Sequence, residues 1–321
     1  MKRREFIRLF SSTVVAWPLT ARAQQQPMPV LGYLDPTSSE EFAEPRSGLK
    51  EAGYVEGENL AINYRFENQT DRLPELADDL VRHRVAVIFT FASGVFAAKA
   101  ATTTIPIVFE TAGDPVQLGL VTSLARPGGN LTGLTSLNAE VDVKMLELLH
   151  ELVPSATIIG LLVNPNTPNV AEPTTKSVQG AARTLGLEMH VLHASNDHDF
   201  DAVFATLAQL RAGALVIGPN PFFFTRSEQL GALTFRHALP AICPYREFAA
   251  AGGLMSYGTN IPKLFREVGV HTGRILKGEK PADLPVQQST KVEFIINLKT
   301  AKALGLTIPV PLQGRADDLI E

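Results

Sequence analysis

Ser38, Ser39, Ser93, Thr111 and Asp114 in the first half of the chain, and Asn164, Asn166, Asn220, Phe222 and Glu247 in the second, each follow a short apolar run. The runs have the length and composition of buried strands, and the Ser, Thr, Asn and Asp clusters behind them have that of loops leading into helices. Hydroxyls and amides beside free helix N–H groups hold carboxylates and other anions, and an acid such as Asp114 or Glu247 holds an ammonium group. Three consecutive aromatics, Phe222, Phe223 and Phe224, cannot all point into one face, so at least one is a candidate for an aromatic wall. The chemistry expected of this set is reversible binding of a small molecule. Ser, Thr, Asn and Asp also cap helices in any protein, so the set informs more than its members. Thr90, Thr167 and Thr225 share the same loops, and Tyr33, Tyr245 and Tyr257 fall near strand ends.

Other chemistries find less support. His190, His193 and His198 have no partner cysteines or carboxylates at ligand spacing, so no metal is expected. Gly128-Gly129-Asn130 lacks the lysine and hydroxyl of a P-loop, and no G-x-G-x-x-G follows the first apolar run, so no nucleotide cofactor is expected. There is no G-x-S-x-G elbow, and the lone Cys243 lies in an apolar context that suits packing. Asp114 and Glu247 as a paired-carboxylate hydrolase remain an alternative, as does a ligand-sensing module.

The elements that must position these residues repeat. Strands expected at 30–34, 60–65, 85–89 and 105–109 alternate with helices, and the plan restarts with 157–163, 214–218, 241–243 and 253–258. Gly53 and Gly186 lie 133 residues apart (186 − 53), and Val87 and Leu215 lie 128 apart (215 − 87). The near-constant offset predicts a duplicated lobe. The expected fold is α/β, with two Rossmann-like doubly wound lobes that bind ligand outside the carboxyl ends of their strands. Residues 114–133, expected to run from a loop through one short helix to a turn, read as a crossing between the lobes. Residues 28–133 with about 259–285 are assigned to the first lobe, and 134–258 with about 286–321 to the second.

A chain of 321 residues with a net charge of −4 and signs mixed along its length is long enough for two domains and carries no basic footprint for nucleic acid. One cysteine makes no internal disulfide, so the cores alone must hold the fold. The first 23 residues differ in kind: a basic start at Lys2, Arg3 and Arg4, a weakly apolar middle, and Ala21-Arg22-Ala23 as a cleavage site. Arg3-Arg4-Glu5-Phe6-Ile7 looks like a twin-arginine export motif. The apolar run is short and broken by Trp17-Pro18, so a protein free in the periplasm is expected, beginning near Gln24.

The wording of residues 114–133, DPVQLGLVTSLARPGGNLTG, resembles a family of ABC-transporter substrate-binding proteins that includes tryptophan- and tyrosine-binding members. GGLMSYG at 252–258 and NLKTAKALGLTIP at 297–309 look like the same family, so the resemblance spans nearly the whole mature chain. It implies a type I periplasmic-binding fold with a hinge of several crossings. It also implies delivery of ligand to an inner-membrane permease driven by a cytoplasmic ATPase. A monomer without a cofactor is expected. By loop position, the resemblance implies that Ser93 and the loop from Thr111 to Asp114 hold an amino acid's carboxylate and amino group, with Glu247 completing the ammonium site.

Overall fold

A computed structural model of the chain describes residues 28–35, 43–66, 70–136, 139–289 and 291–321. The first lobe opens with β1 (Val30–Asp35), α1 (Ala43–Glu51), β2 (Ala61–Phe66), α2 (Leu73–Arg82), β3 (Val87–Phe91), α3 (Gly94–Ala101), β4 (Ile107–Thr111) and β5 (Leu131–Thr135). The second lobe then supplies α4 (Ala139–Leu152), β6 (Ile158–Val163), α5 (Pro168–Leu185), β7 (Glu188–His193), α6 (Asp199–Leu210) and β8 (Ala214–Ile217). It continues with α7 (Pro221–Thr225), α8 (Ser227–Arg236), β9 (Ala241–Cys243), α9 (Arg246–Ala250) and β10 (Met255–Thr259). The chain returns to the first lobe for α10 (Ile261–Leu276) and β11 (Gln287–Gln288). It ends in the second with β12 (Val292–Asn297), α11 (Leu298–Ala303), α12 (Val310–Gln313) and β13 (Asp318–Ile320).

The sheets run β11-β5-β4-β3-β1-β2 and β13-β12-β10-β9-β8-β6-β7. Read from β2 and from β7, both begin with the strand order 2-1-3-4-5 of a doubly wound sheet. The registers repeat as well. Leu31 pairs with Val87 in the first lobe and Ile159 with Ala214 in the second, offsets of 128 (159 − 31) and 127 (214 − 87). Gly53 and Gly186 follow α1 and α5 at φ +90° and +70°, left-handed turns that a side chain would strain. β12 runs antiparallel to β10; the remaining paired strands are parallel.

Central strands such as β3 are buried on both faces, which is why they read as unbroken apolar runs. In the first lobe Phe89, Phe91 and Val108 pack with Leu49 of α1 and Leu264, Phe265 and Val268 of α10. Ile88, Ile107 and Phe109 on the other face meet Ala77 and Leu80 of α2 and Val95 and Ala98 of α3. The second sheet is covered by α4 and α5 on one face and by α6 and α8 on the other. Burial of this kind, at about 25 cal/mol per Å² of apolar surface, is the main force holding each lobe.

Three expectations need correction. The stretch 114–133 forms turns with no helix and does not cross between lobes: Leu120 and Val121 are buried in the first-lobe core, and Leu131 opens β5 of that lobe's sheet. The crossing follows β5. The first lobe reaches past 285, because Gln287 and Gln288 pair with Leu134 and Thr135. Finally, β3 and β4 each run two residues beyond the expected 89 and 109, which carries Phe91, Glu110 and Thr111 to the strand ends.

Candidate ligand-binding cleft

The carboxyl ends of the strands in the two lobes face a shared cleft. From the first lobe its wall takes Phe91, Ala92 and Ser93 after β3, Glu110, Thr111 and Ala112 at the end of β4, and Ser136 after β5. Ile261 and Phe265 of α10 complete that side. From the second lobe come Thr167, Asn169 and Val170 at the start of α5, then Pro219, Asn220, Pro221 and Phe224 around α7, and Tyr245 ahead of α9. The cavity volume is about 70 Å³. Since one water needs roughly 10–15 Å³ on that scale, the cleft suits one small molecule and not a polymer.

Ala92 holds φ at +49°, uncommon for a residue with a side chain, and this turn swings the chain from β3 into α3. Ser93 therefore sits at the N-terminus of α3, half-buried on the cleft wall, and its hydroxyl makes no cap hydrogen bond. Glu110 is the register partner of Phe91 on one side and Leu134 on the other, so a carboxylate stands at the cleft between apolar neighbours. It is the one acid on the described wall, which carries no Lys, Arg or His.

The second-lobe wall is built around Asn220. Its Oδ1 accepts the Phe222 N–H at 2.9 Å, capping α7, and also the Asn164 Nδ2 at 3.1 Å. Its Nδ2 donates to Thr167 Oγ1 at 2.8 Å, while Thr167 Oγ1 donates to the Asn164 carbonyl. The Asn220 backbone N–H donates to the Tyr245 hydroxyl at 2.7 Å. Tyr245 is thereby fixed with its ring edge-on to Phe224, centroids 5.1 Å apart. Burial raises the phenol's pKa well above its ordinary value, so it is a neutral hydroxyl at the cleft.

Of the residues expected at the site, Ser93, Thr111 and Asn220 are on the wall. Asn164 lies behind it, bonded to Asn220, and Asn166 is exposed and off the wall. Ser38 and Ser39 lie outside the described residues. Asp114 is off the wall because its Oδ1 accepts the Val116 N–H at 2.8 Å and organises the turn after β4. Glu247 is also off the wall, on α9: burial raises its pKa and its Oε2 has no hydrogen-bond partner among the described residues. These two acids thus do not form a pair across the cleft. Phe222 stacks on Phe200 at 5.5 Å and carries the Arg226 guanidinium on its face, while Phe223 is core; the cleft aromatic of the triple is Phe224. Tyr33 and Tyr257 also pack away from the cleft, against Phe89 and Phe294. Sequence reasoning missed Glu110, Ser136 and Asn169. The signal for Glu110 was an acid closing an otherwise apolar strand.

The family described as ABC transporter substrate binding protein matches residues 40–320. The chain belongs to this family. A tyrosine-binding protein of Clostridioides difficile (strain R20291) is 28% identical over 262 residues, 80% of this chain and 74% of the relative. Among solved structures, a conserved domain protein of Vibrio cholerae superposes with a TM-score of 0.81 at 24% identity, covering 91% of this chain and 99% of the other. An ABC domain from Streptococcus pneumonia in complex with L-Trp gives a TM-score of 0.80 at 21% identity with the same coverage. The fold of this substrate-binding protein is accordingly the type I periplasmic-binding fold. Members of the family work outside the cytoplasmic membrane with a transporter partner, and no described helix here is long and apolar enough to cross a membrane.

Proposed function

We propose that this substrate-binding protein captures an amino acid or similarly small amphiphile between its lobes and releases it unchanged to an inner-membrane ABC permease with a cytoplasmic ATPase. The observation that carries the reading is the composition of the wall. One lobe brings a carboxylate and a helix N-terminus, and the other brings aromatic rings and an ordered polar network. In this reading the occupant's carboxylate takes hydrogen bonds from Ser93 and the first N–H groups of α3, and its ammonium group faces Glu110. Glu110 replaces Asp114 and Glu247 in that role. The apolar side chain lies against Phe224, Tyr245 and Phe265. The names of the C. difficile relative and of the L-Trp complex favour an aromatic amino acid. Chain crossings at three places, after β5, after β10 and after β11, give the hinge for closure.

We further infer export by the twin-arginine-like leader at 1–23, and action as a periplasmic monomer. Thermal unfolding in the presence of amino acids, short carboxylates and sugars tests the ligand class. An apolar or aromatic amino acid should give the largest rise, since ligand at 100 times its dissociation constant adds about 2.7 kcal/mol. No rise with any amino acid, or a larger one with a sugar, overturns the reading.

A further inference from the structure

The second crossing between the lobes ends in a hydrogen-bonded joint. β10 pairs with β12 through Gly258 and Glu293, and two residues further on Asn260 leaves the second-lobe sheet to cap α10 of the first lobe. Its Oδ1 accepts the Lys263 N–H at 2.9 Å, as an N-cap does, while its Nδ2 donates to both carboxylate oxygens of Glu293 at 3.2 Å. Glu293 is the second residue of β12, close behind the third crossing. One side-chain amide thus joins the start of a first-lobe helix to the second-lobe sheet and ties two crossings together.

The same carboxylate holds the cleft wall from its other side. Glu293 Oε2 accepts from Arg246 at 3.2 Å, and Arg246 also reaches Asp318 at 3.5 Å. Arg246 follows Tyr245 and Asn260 precedes Ile261, so both partners of Glu293 adjoin residues of the wall. Gly258 completes the joint: a methyl group there would fall on the Pro244 carbonyl oxygen, so β10 is seated directly against the backbone that leads into Tyr245. Ile261 and Phe265 lie one turn apart on α10, and the angle at which α10 leaves Asn260 therefore sets where both stand against Phe224 and Tyr245. A charge-assisted hydrogen bond held between antiparallel neighbours fixes that direction better than an exposed ion pair.

We propose that Asn260 and Glu293 are a positioning pair for the cleft: their hydrogen bond is the pivot about which α10 and the first lobe turn as the lobes close, and the affinity for the occupant depends on it although neither residue lines the wall. This rests on the reading of the cleft as closing on a small molecule and adds the residues that govern its closure.

The test exchanges donor and acceptor. Asn260→Asp keeps an oxygen for the Lys263 N–H, and so keeps the cap, but sets a carboxylate against that of Glu293. Combining Asn260→Asp with Glu293→Gln restores one donor to one acceptor in the reverse order. Spin labels on Lys50→Cys and Thr184→Cys, exposed positions near the ends of α1 and α5, report the interlobe distance by double electron–electron resonance, and buried Cys243 is out of reach of the label. In the ligand-free mature chain, with folding verified by circular dichroism, Asn260→Asp should broaden the distance distribution and the double variant should narrow it again. In calorimetric titrations with L-tryptophan and L-tyrosine, the amino acid that binds should lose about tenfold or more in Asn260→Asp, the scale of a coupling between sites, and recover to within about threefold in the double variant. An unchanged distribution in Asn260→Asp, or losses that the double variant does not reverse, overturns the pivot. If neither amino acid binds the unsubstituted chain, the amino-acid reading fails, while the ligand-free distances still decide for or against the pivot.

Discussion

Gly48 of α1 and Gly269 of α10 bring two helices into backbone contact: a methyl group on Gly269 would fall on the Pro45 carbonyl oxygen, and one on Gly48 would fall on that of Arg266. This crossing seats α10 on the first lobe and so places Ile261 and Phe265 at the cleft. Gly269→Ala should destabilise the protein by about 1–3 kcal/mol through overpacking. Gly180→Ala, at a position in α5 with open space around it, should be neutral or stabilising by up to about 1 kcal/mol. Urea midpoints of the two variants check the contrast, and equal losses would count against it.

His271 on α10 should make the first lobe acid-labile. The Thr132 hydroxyl donates to the Leu284 carbonyl at 2.7 Å, so its oxygen accepts from His271 Nε2 at 2.9 Å and the ring is the neutral Nε2–H tautomer. Burial, with Arg274 adding and Glu279 opposing, lowers the imidazole's pKa from 6.5 to about 4. The unfolded chain takes up this proton below pH 6.5 and the folded one only near pH 4. The contribution is therefore full above pH 6.5 and is lost as pH falls through that window, by about 3 kcal/mol. Urea unfolding across the window should show the loss, and His271→Gln, though less stable at neutral pH, should show a smaller one. An unchanged slope in the variant would remove His271 as the cause.

Asp142 on α4 acts with the opposite sign. Its Oδ2 accepts the Thr174 hydroxyl of α5 at 2.7 Å, and its Oδ1 is buried with no partner among the described residues. Burial raises this carboxyl to about 7, against 3.8 for the free side chain. Its protonated form favours the folded state at low pH, and that contribution is lost as pH rises from about 4 through 7. Asp142→Asn, which still accepts from Thr174, should raise stability at pH 8 by on the order of 4 kcal/mol and change it little near pH 4. A loss of stability at pH 8 would show that the carboxylate is compensated.

The duplicated architecture was legible because buried parallel strands and left-handed glycine turns leave marks at fixed spacing, as at Gly53 and Gly186. The site was harder to read. The last residues of β3 and β4 stay paired in the sheet but border the cleft as well as the core, so polarity there does not end the strand. The apolar runs stop short of Thr90 and Glu110, yet β3 continues to Phe91 and β4 to Thr111. Glu110 was lost in that gap. Conversely, Asp114 and Glu247 offer the right group in the right loops, but in the folded protein one organises a turn and the other lies on α9 away from the wall. Among Phe222, Phe223 and Phe224, composition could not decide which ring reaches the cleft; the Asn220 cap, which sets the phase of α7, decides it.

The position of α10 also fixes the order in which the molecule can be completed during synthesis. When the growing chain has reached Thr259, the second lobe lacks only its last two strands and its last helices, whereas the first lobe still lacks the helix that covers Phe89, Phe91 and Val108. The lobe that emerges first from the ribosome is thus finished late, and its apolar face stays open while the whole of residues 139–259 is made. A nascent chain stalled within that interval presents this face to chaperones, and a fragment cut just after β10 would contain all five leading strands of the first sheet yet lack the helix that seals them.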